Sequence, residues 1–248
     1  MRPGPIFRES LEIHFVEGHG FAAYFYLMIL LTPVVFLTLF LPSLEAQVWI
    51  GPAQVFKVSA VAAMILIVYF SLKVANQEFA PWRFISLKRR LVDENLSPVD
   101  IAGAHLALLT LQILLLALLA APLIVWAGAI ARVPATAILS VFALIFFYAL
   151  AYGIWALAAL SLWERKLETR QVFVRAFFIA TMFVSAALYL PLNPIAFLLS
   201  FLEEKELARL SLLGIRWPAG AVHFVFHGLL LGMGLWIYRR ALIERIES

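Results

Sequence analysis

Hydrophobic positions along the chain gather into long blocks, with no strict alternation and no one-sided helical stripe. Six blocks, at about residues 21–42, 55–75, 101–127, 135–162, 172–190 and 218–238, are almost free of charge. Each has roughly the 20 apolar residues that carry an α-helix across a hydrocarbon core about 30 Å thick. Segments that are apolar all round belong in lipid, where the helix satisfies its own backbone. The pattern therefore predicts an all-α integral membrane protein, a single transmembrane domain over residues 1–248 with six helices and both termini on one side. The first block carries no charge from 21 to 42 and has no small-x-small site behind it. It is longer than the core of a signal peptide, about 7–15 residues, so the expectation is a retained helix.

Shorter elements lie between the blocks. Phe7, Leu11 and Phe15 recur at helical spacing among Arg8, Glu9, Glu12 and Glu17, which fits either an N-terminal helix lying in the membrane interface or a solvated lead-in. The connection between blocks two and three puts Phe84, Leu87 and Leu91 on one helical face beside Lys88, Arg89, Arg90 and Glu94, and ends in Leu96-Ser97-Pro98-Val99-Asp100-Ile101. Ser97 is a capping residue, Pro98 suits the first helical position, and Asp100 closes a capping box. Capping alone leaves two readings open, a well-started third span or a docking segment. Residues 164–170 are of mixed charge and read as a solvated corner.

The stretch between blocks five and six is less regular. Pro191-Leu192-Asn193-Pro194 cannot continue a helix, and residues 195–202 form an apolar octet interrupted only by Ser200. Eight residues at a rise of 1.5 Å cover only about 12 Å. Glu203-Glu204-Lys205-Glu206 follows, then Leu207, Leu210 and Leu213 at helical spacing, and Trp217-Pro218 opens the sixth block. The expectation is an outer helical hairpin: a helix dipping into the outer leaflet and an amphipathic helix returning. A plain external loop explains the charges but not the octet. The chain has no internal repeat and no linker to a second domain.

Composition agrees with a lipid environment. Hydrophobic residues make up 64% and charged residues 14%, against about 45–50% and about 25% in soluble domains. The absence of cysteine removes disulfides, thiolate metal sites and thiol catalysis. A pI near 9.5 with a net charge of +4 raises nucleic-acid binding, but the positions of the basic residues explain it otherwise. Only Lys57, Arg132, Lys205, Arg209 and Arg216 fall on the far side of the six-span topology; the other 14 of the 19 Lys and Arg lie with the termini. By the positive-inside rule the termini are cytoplasmic and the protein is a multi-pass protein of the inner, cytoplasmic membrane. Trp49, Trp126, Trp163, Trp217, Trp236 and Tyr238 fall near span ends, where amphipathic aromatics collect.

The chemistry is sparse. No Asp or Glu occurs within 21–42, 58–72, 101–163, 176–202 or 217–238. Ion-coupled carriers and intramembrane acid–base enzymes use such groups as relays. His223 and His227 are four apart on one face, a spacing that metal sites use; two imidazoles fall short of the three or four ligands zinc takes, and interhelical hydrogen bonding is the plainer reading. Gly228 and Gly232 form a GxxxG in the same span. His105 lies at the inner end of span three, and Gln112, Tyr148, Tyr152, Thr181, Ser185 and Asn193 are scattered; they either line a cavity or pack between helices. There is no nucleotide-binding motif.

The segment Leu96-Ser97-Pro98-Val99-Asp100-Ile101-Ala102-Gly103-Ala104-His105-Leu106 resembles one in the permease subunits of type-2, exporter-like ABC transporters, which reads Leu-Ser-Pro-x-acid-Ile-x-x-small-basic-Leu after the second span. His105 stands where that family more often has Lys or Arg. Such permeases have about this length, six spans, cytoplasmic termini, an interfacial first helix and an outer helical hairpin. The resemblance implies that Phe84, Leu87, Leu91, Glu94, Ser97, Pro98 and Asp100 couple the chain to a separate ATP-binding-cassette subunit. ATP and Mg would then be bound by that partner, with no cofactor and no catalysis in this chain. It also implies a second permease subunit, as homodimer or heterodimer, contact with membrane lipid, and no nucleic acid. Export of a lipid-like or amphiphilic substrate fits the uncharged spans better than transport of a bare ion, which needs coordinating charge or carbonyls. Two other readings use the same residues: a membrane-embedded enzyme or assembly factor working through His105, His223 and His227, and a purely structural subunit. Co-purification with an ATPase separates the first reading from these two.

Overall fold

The computed structural model describes residues 5–16, 21–40, 54–77, 96–163, 166–205, 207–212 and 215–247. Helix α1 (Pro5–Leu11) runs into a π-helical turn (Glu12–Val16), and is followed by α2 (Phe21–Phe40), α3 (Val55–Gln77), α4 (Pro98–Ile130) and α5 (Ala135–Leu162). Helix α6 (Leu167–Ile179), a π-helical turn (Ala180–Val184) and α7 (Ser185–Leu188) together form the fifth long helix. A 3-10 turn (Leu190–Leu192), a short helix α8 (Pro194–Leu202), strands β1 (Leu210–Leu212) and β2 (Ile215–Trp217), and helix α9 (Ala219–Glu247) complete the order. Six helices are long and apolar enough to cross a membrane, the arrangement of a multi-pass membrane protein. They match the six sequence blocks, except that α4 begins earlier at Pro98, α6 begins earlier at Leu167, and α9 continues through Arg239 and Arg240 to Glu247.

Helices α3 and α5 form the centre. Buried residues make up 61% and 50% of their apolar stretches, against 17% for the fifth and for the sixth crossing helix. Helix α3 packs on α2, α4 and α5, helix α6 leans on α3 and α5, and α9 lies along α5. Lipid gives no hydrophobic push between helices, so close approach depends on small residues. Gly153 of α5 faces Leu109 of α4 so closely that a Cβ would sit 2.8 Å from its methyl carbon. Gly234 of α9 likewise meets Ile154 and Trp155, both 3.0 Å from where a Cβ would be. The hydroxyls of Thr38 and Ser59 bond back to their own helices, to the Val34 carbonyl at 2.7 Å and to that of Val55 at 2.5 Å, so neither is a bare donor in an apolar setting.

Helix ends are closed locally. Ser97 caps α4, with a reciprocal capping box to Asp100. After α4, Val133 N–H donates to the Gly128 carbonyl at 2.9 Å and Arg132 N–H to that of Ala129 at 3.2 Å. After α8, Lys205 N–H donates to the Ser200 carbonyl at 3.0 Å and Glu204 N–H to that of Phe201 at 3.4 Å. Both are Schellman closures, and their left-handed residues, Arg132 (φ 56°) and Glu204 (φ 53°), stand where glycine is usual.

Three sequence expectations differ from the structure. Helical spacing of Leu207, Leu210 and Leu213 predicted a return helix, but the described part of this segment pairs as an antiparallel hairpin with Leu210 opposite Trp217 and Leu212 opposite Ile215. The same residues also alternate, apolar at 210, 212, 215 and 217 with polar Ser211 and Arg216 between, and a β-branched and aromatic partner strand lies within reach. Gly214 falls between the strands in sequence, as short hairpin connections favour. The corner at 164–170 is solvated at Lys166, Glu168 and Thr169, but Arg170 turns into the bundle and is 4% exposed. Near the N-terminus Phe7 and Leu11 pack against the core while Phe15 is 39% exposed. His14 is buried in its place and bonds the Tyr24 hydroxyl at 2.7 Å.

Candidate functional site

The densest polar cluster forms where the fifth helix breaks. Pro191 and Pro194 have no N–H to donate. Ala196 N–H donates to the Asn193 side chain at 2.8 Å instead of back to Leu192. The carbonyls of Pro191 and Leu192 are thereby left without helical partners. His223 and His227 of α9 fill the gap: His223 Nδ1 lies 2.7 Å from the Pro191 oxygen and His227 Nε2 lies 3.1 Å from the Leu192 oxygen. A carbonyl only accepts, so these two nitrogens carry the hydrogens. The opposite nitrogen of each neutral ring then accepts, from the Tyr148 hydroxyl at 2.6 Å and from the Tyr152 hydroxyl at 3.0 Å. Two chains result, each running from phenol to imidazole to backbone carbonyl, and the two rings belong to opposite tautomers.

Helical periodicity builds this ladder. Tyr148 and Tyr152 are one turn apart on α5, as are His223 and His227 on α9. Both hydrogen bonds, and the bond from Trp155 Nε1 to the Leu230 carbonyl at 3.0 Å, join residues 75 apart in sequence. A constant offset means parallel helices in fixed register. Phe197 of α8 stacks on His223 with ring centres 3.9 Å apart at 8°, and the imidazoles sit 4.4 Å from each other. Asn193 secures the break from the other side, its amide donating to the Met182 carbonyl at 2.8 Å and to Ser185 Oγ at 2.9 Å. All of Tyr148, Tyr152, Asn193, His223 and His227 are buried.

Chemically the cluster is a neutral clamp. Each imidazole has both nitrogens engaged, so a metal or a proton acceptor would first have to displace a carbonyl or a phenol. No group of three or more His, Asp or Glu able to hold a metal occurs among the described residues. His105 repeats the theme near the other end of α9, bonding the Tyr238 hydroxyl at 2.7 Å. Gln112, midway along α4, is 1% exposed, and neither atom of its amide has a hydrogen-bond partner among the described residues.

The sequence-predicted residues divide into three groups. Pro191, Asn193, Pro194, His223 and His227 come together in the clamp. Ser97, Pro98 and Asp100 lie apart from it at the start of α4, where Ser97 and Asp100 are exposed; Asp100 N–H donates to Ser97 Oγ at 3.1 Å and Ser97 N–H to Asp100 Oδ2 at 3.2 Å. Phe84, Leu87, Leu91 and Glu94 lie outside the described residues. Sequence reasoning left Tyr148 and Tyr152 as scattered polar residues. The signal that pairs them with the histidines is the matching spacing of four on two spans of the same direction. Gly228 and Gly232, the GxxxG pair, have nothing within 4 Å of a built Cβ, while the unremarked Gly234 makes the close contact.

Comparison with known proteins adds no family to this geometry: the chain matches no protein-family model, no curated protein and no solved structure.

Proposed function

We propose that this chain is the transmembrane permease subunit of an ATP-driven ABC transporter, exporting a lipid-like or amphiphilic substrate and working with a separate ATP-binding-cassette subunit and a second permease subunit. Both termini are cytoplasmic in this reading, in the inner membrane. Helix α1 lies along the cytoplasmic interface, and α8 with the β1–β2 hairpin dips into and returns from the outer leaflet. The observation that carries the proposal is the exposed Ser97/Asp100 capping box at the start of the third of six membrane-length helices. It is the part of the Leu-Ser-Pro-x-acid-Ile resemblance that ends the proposed coupling segment. Support also comes from the broken fifth helix and short α8, which correspond to the family's outer hairpin, and from spans without carboxylates, which leave ATP in a partner as the energy source.

The experiment is affinity purification of the full chain from its native membrane with assay of bound ATPase. An ATP-hydrolysing subunit is expected to co-purify. Phe84→Ala with Leu87→Ala should reduce its recovery roughly tenfold or more, because truncated interface anchors each cost about 2 kcal/mol, while membrane insertion is unchanged. A chain that purifies without any ATPase, or a double variant that retains it as wild type does, overturns the assignment.

A further inference from the structure

The inner half of the clamp is a set of metal donors. His223 and His227 give their outer N–H groups to the Pro191 and Leu192 carbonyls, the bond that metal-ligating histidines make on the side away from the metal. It fixes both tautomers, so that the lone pairs of His223 Nε2 and His227 Nδ1 face the oxygens of Tyr148 and Tyr152 at 2.6 Å and 3.0 Å. Two donors each about 2.0 Å from one metal, and at right angles to each other, stand about 2.8 Å apart. The two pairs bracket that spacing. They are also adjacent: the imidazole centres lie 4.4 Å apart, and the Tyr148 ring centre lies 5.3 Å from that of His227 as well as 5.6 Å from that of His223. Two histidines are too few to hold a metal, but tyrosine oxygen is a ligand too, and with both phenols the count is four. All four side chains are buried.

We propose that Tyr148, Tyr152, His223 and His227 form a copper(II) site, with two imidazole nitrogens and two phenolate oxygens as ligands. Of the two partners of each imidazole, the phenol is the one that yields: its oxygen, having lost its hydrogen, binds the metal itself, while the carbonyl bonds stay in place. Charge selects the ion. Helix α5 and the apolar part of α9 contain no carboxylate, and net charge at membrane depth is costly. Two phenolates cancel a dication and leave a monocation or a trication with net charge. Among divalent first-row metals, copper(II) binds nitrogen and oxygen donors most tightly and takes them in a tetragonal arrangement. Binding forms two Cu–N and two Cu–O bonds and releases two protons, one from each phenol, with no change in oxidation state. The Phe197 ring stacked on His223 also lines an open cleft of about 260 Å³, the side from which the ion enters. The proposal goes beyond the transporter reading and does not rest on it.

Titration of the detergent-solubilised, chelator-treated full chain with copper(II), followed by visible absorption, electron paramagnetic resonance and calorimetry, tests it. The expected result is one tightly bound copper per chain, with a phenolate-to-copper charge-transfer band and hyperfine splitting from two imidazole nitrogens. Two protons should be released per ion, read from the dependence of the binding heat on the buffer. Tyr148→Phe and Tyr152→Phe keep the rings; each should lose one released proton and part of the band, and weaken binding at least about tenfold. His223→Gln with His227→Gln keeps an N–H donor at both positions and should abolish binding. Should that variant fail to fold, the two Phe variants decide. No copper bound, copper bound without the charge-transfer band, or affinity unchanged in the Phe variants overturns the proposal. So does binding that survives in a folded double Gln variant, and zinc binding as tight as copper overturns the choice of metal.

Discussion

At the scale of single residues, the clamp is an answer to two carbonyls left without helical partners where Pro194 and the Asn193 cap interrupt the helix inside an apolar bundle. A buried unsatisfied carbonyl costs about 1–3 kcal/mol, and a lysine or arginine donor would bring a charge that is expensive to bury. Neutral imidazole supplies an N–H without charge, and a tyrosine hydroxyl then occupies the other nitrogen. His223→Ala removes the donor to the Pro191 oxygen, the stack on Phe197 and the acceptor for Tyr148. It should lower stability in mixed-micelle unfolding by about 2–4 kcal/mol, and Tyr148→Phe by about 1 kcal/mol. The double variant should lose less than the sum, because both remove the same hydrogen bond. Strict additivity would show that the Tyr148–His223 bond contributes nothing.

At the scale of elements, the placing of glycines and the breaks in helices decide how the bundle closes. Helix α9 carries three glycines, Gly228, Gly232 and Gly234, within seven residues, yet only Gly234 touches α5, against Ile154 and Trp155. Gly228→Ala meets open space and should raise stability by about 0.5–1 kcal/mol through helix propensity. Gly234→Ala forces the Trp155 indole aside, strains its bond to the Leu230 carbonyl, and should cost about 1–3 kcal/mol. Unfolding of the two variants side by side checks the contact; equal stabilities would place α9 farther from α5. The fifth helix is tied differently, through a π-helical turn and the side chain of Asn193, which together absorb a change of direction that two prolines impose.

At the scale of the whole molecule, the distribution of Lys and Arg predicts cytoplasmic termini, and the lack of native cysteine makes the orientation directly measurable. A membrane-impermeant thiol reagent should label Arg209→Cys from outside intact cells and label Lys88→Cys only after the membrane is opened; the reverse pattern would invert the topology and remove the transporter reading. The sequence by itself determined the six long helices, the capped start at Ser97, Pro98 and Asp100, and the break at Pro191-Leu192-Asn193-Pro194, because in lipid each helix must satisfy its own backbone and such signals are local. It did not determine that 207–217 contributes strands, since those residues carry both a helical and an alternating period and only the nearness of Ile215-Arg216-Trp217 selects between them. Nor did it determine that Arg170 turns inward or that Gly234, and not the GxxxG pair, makes the close contact. The matching spacing of four at 148/152 and 223/227 is present in the sequence, but tertiary structure decided that Tyr148 and Tyr152 meet His223 and His227: the partners are 75 residues apart, and their register is set by packing between α5 and α9.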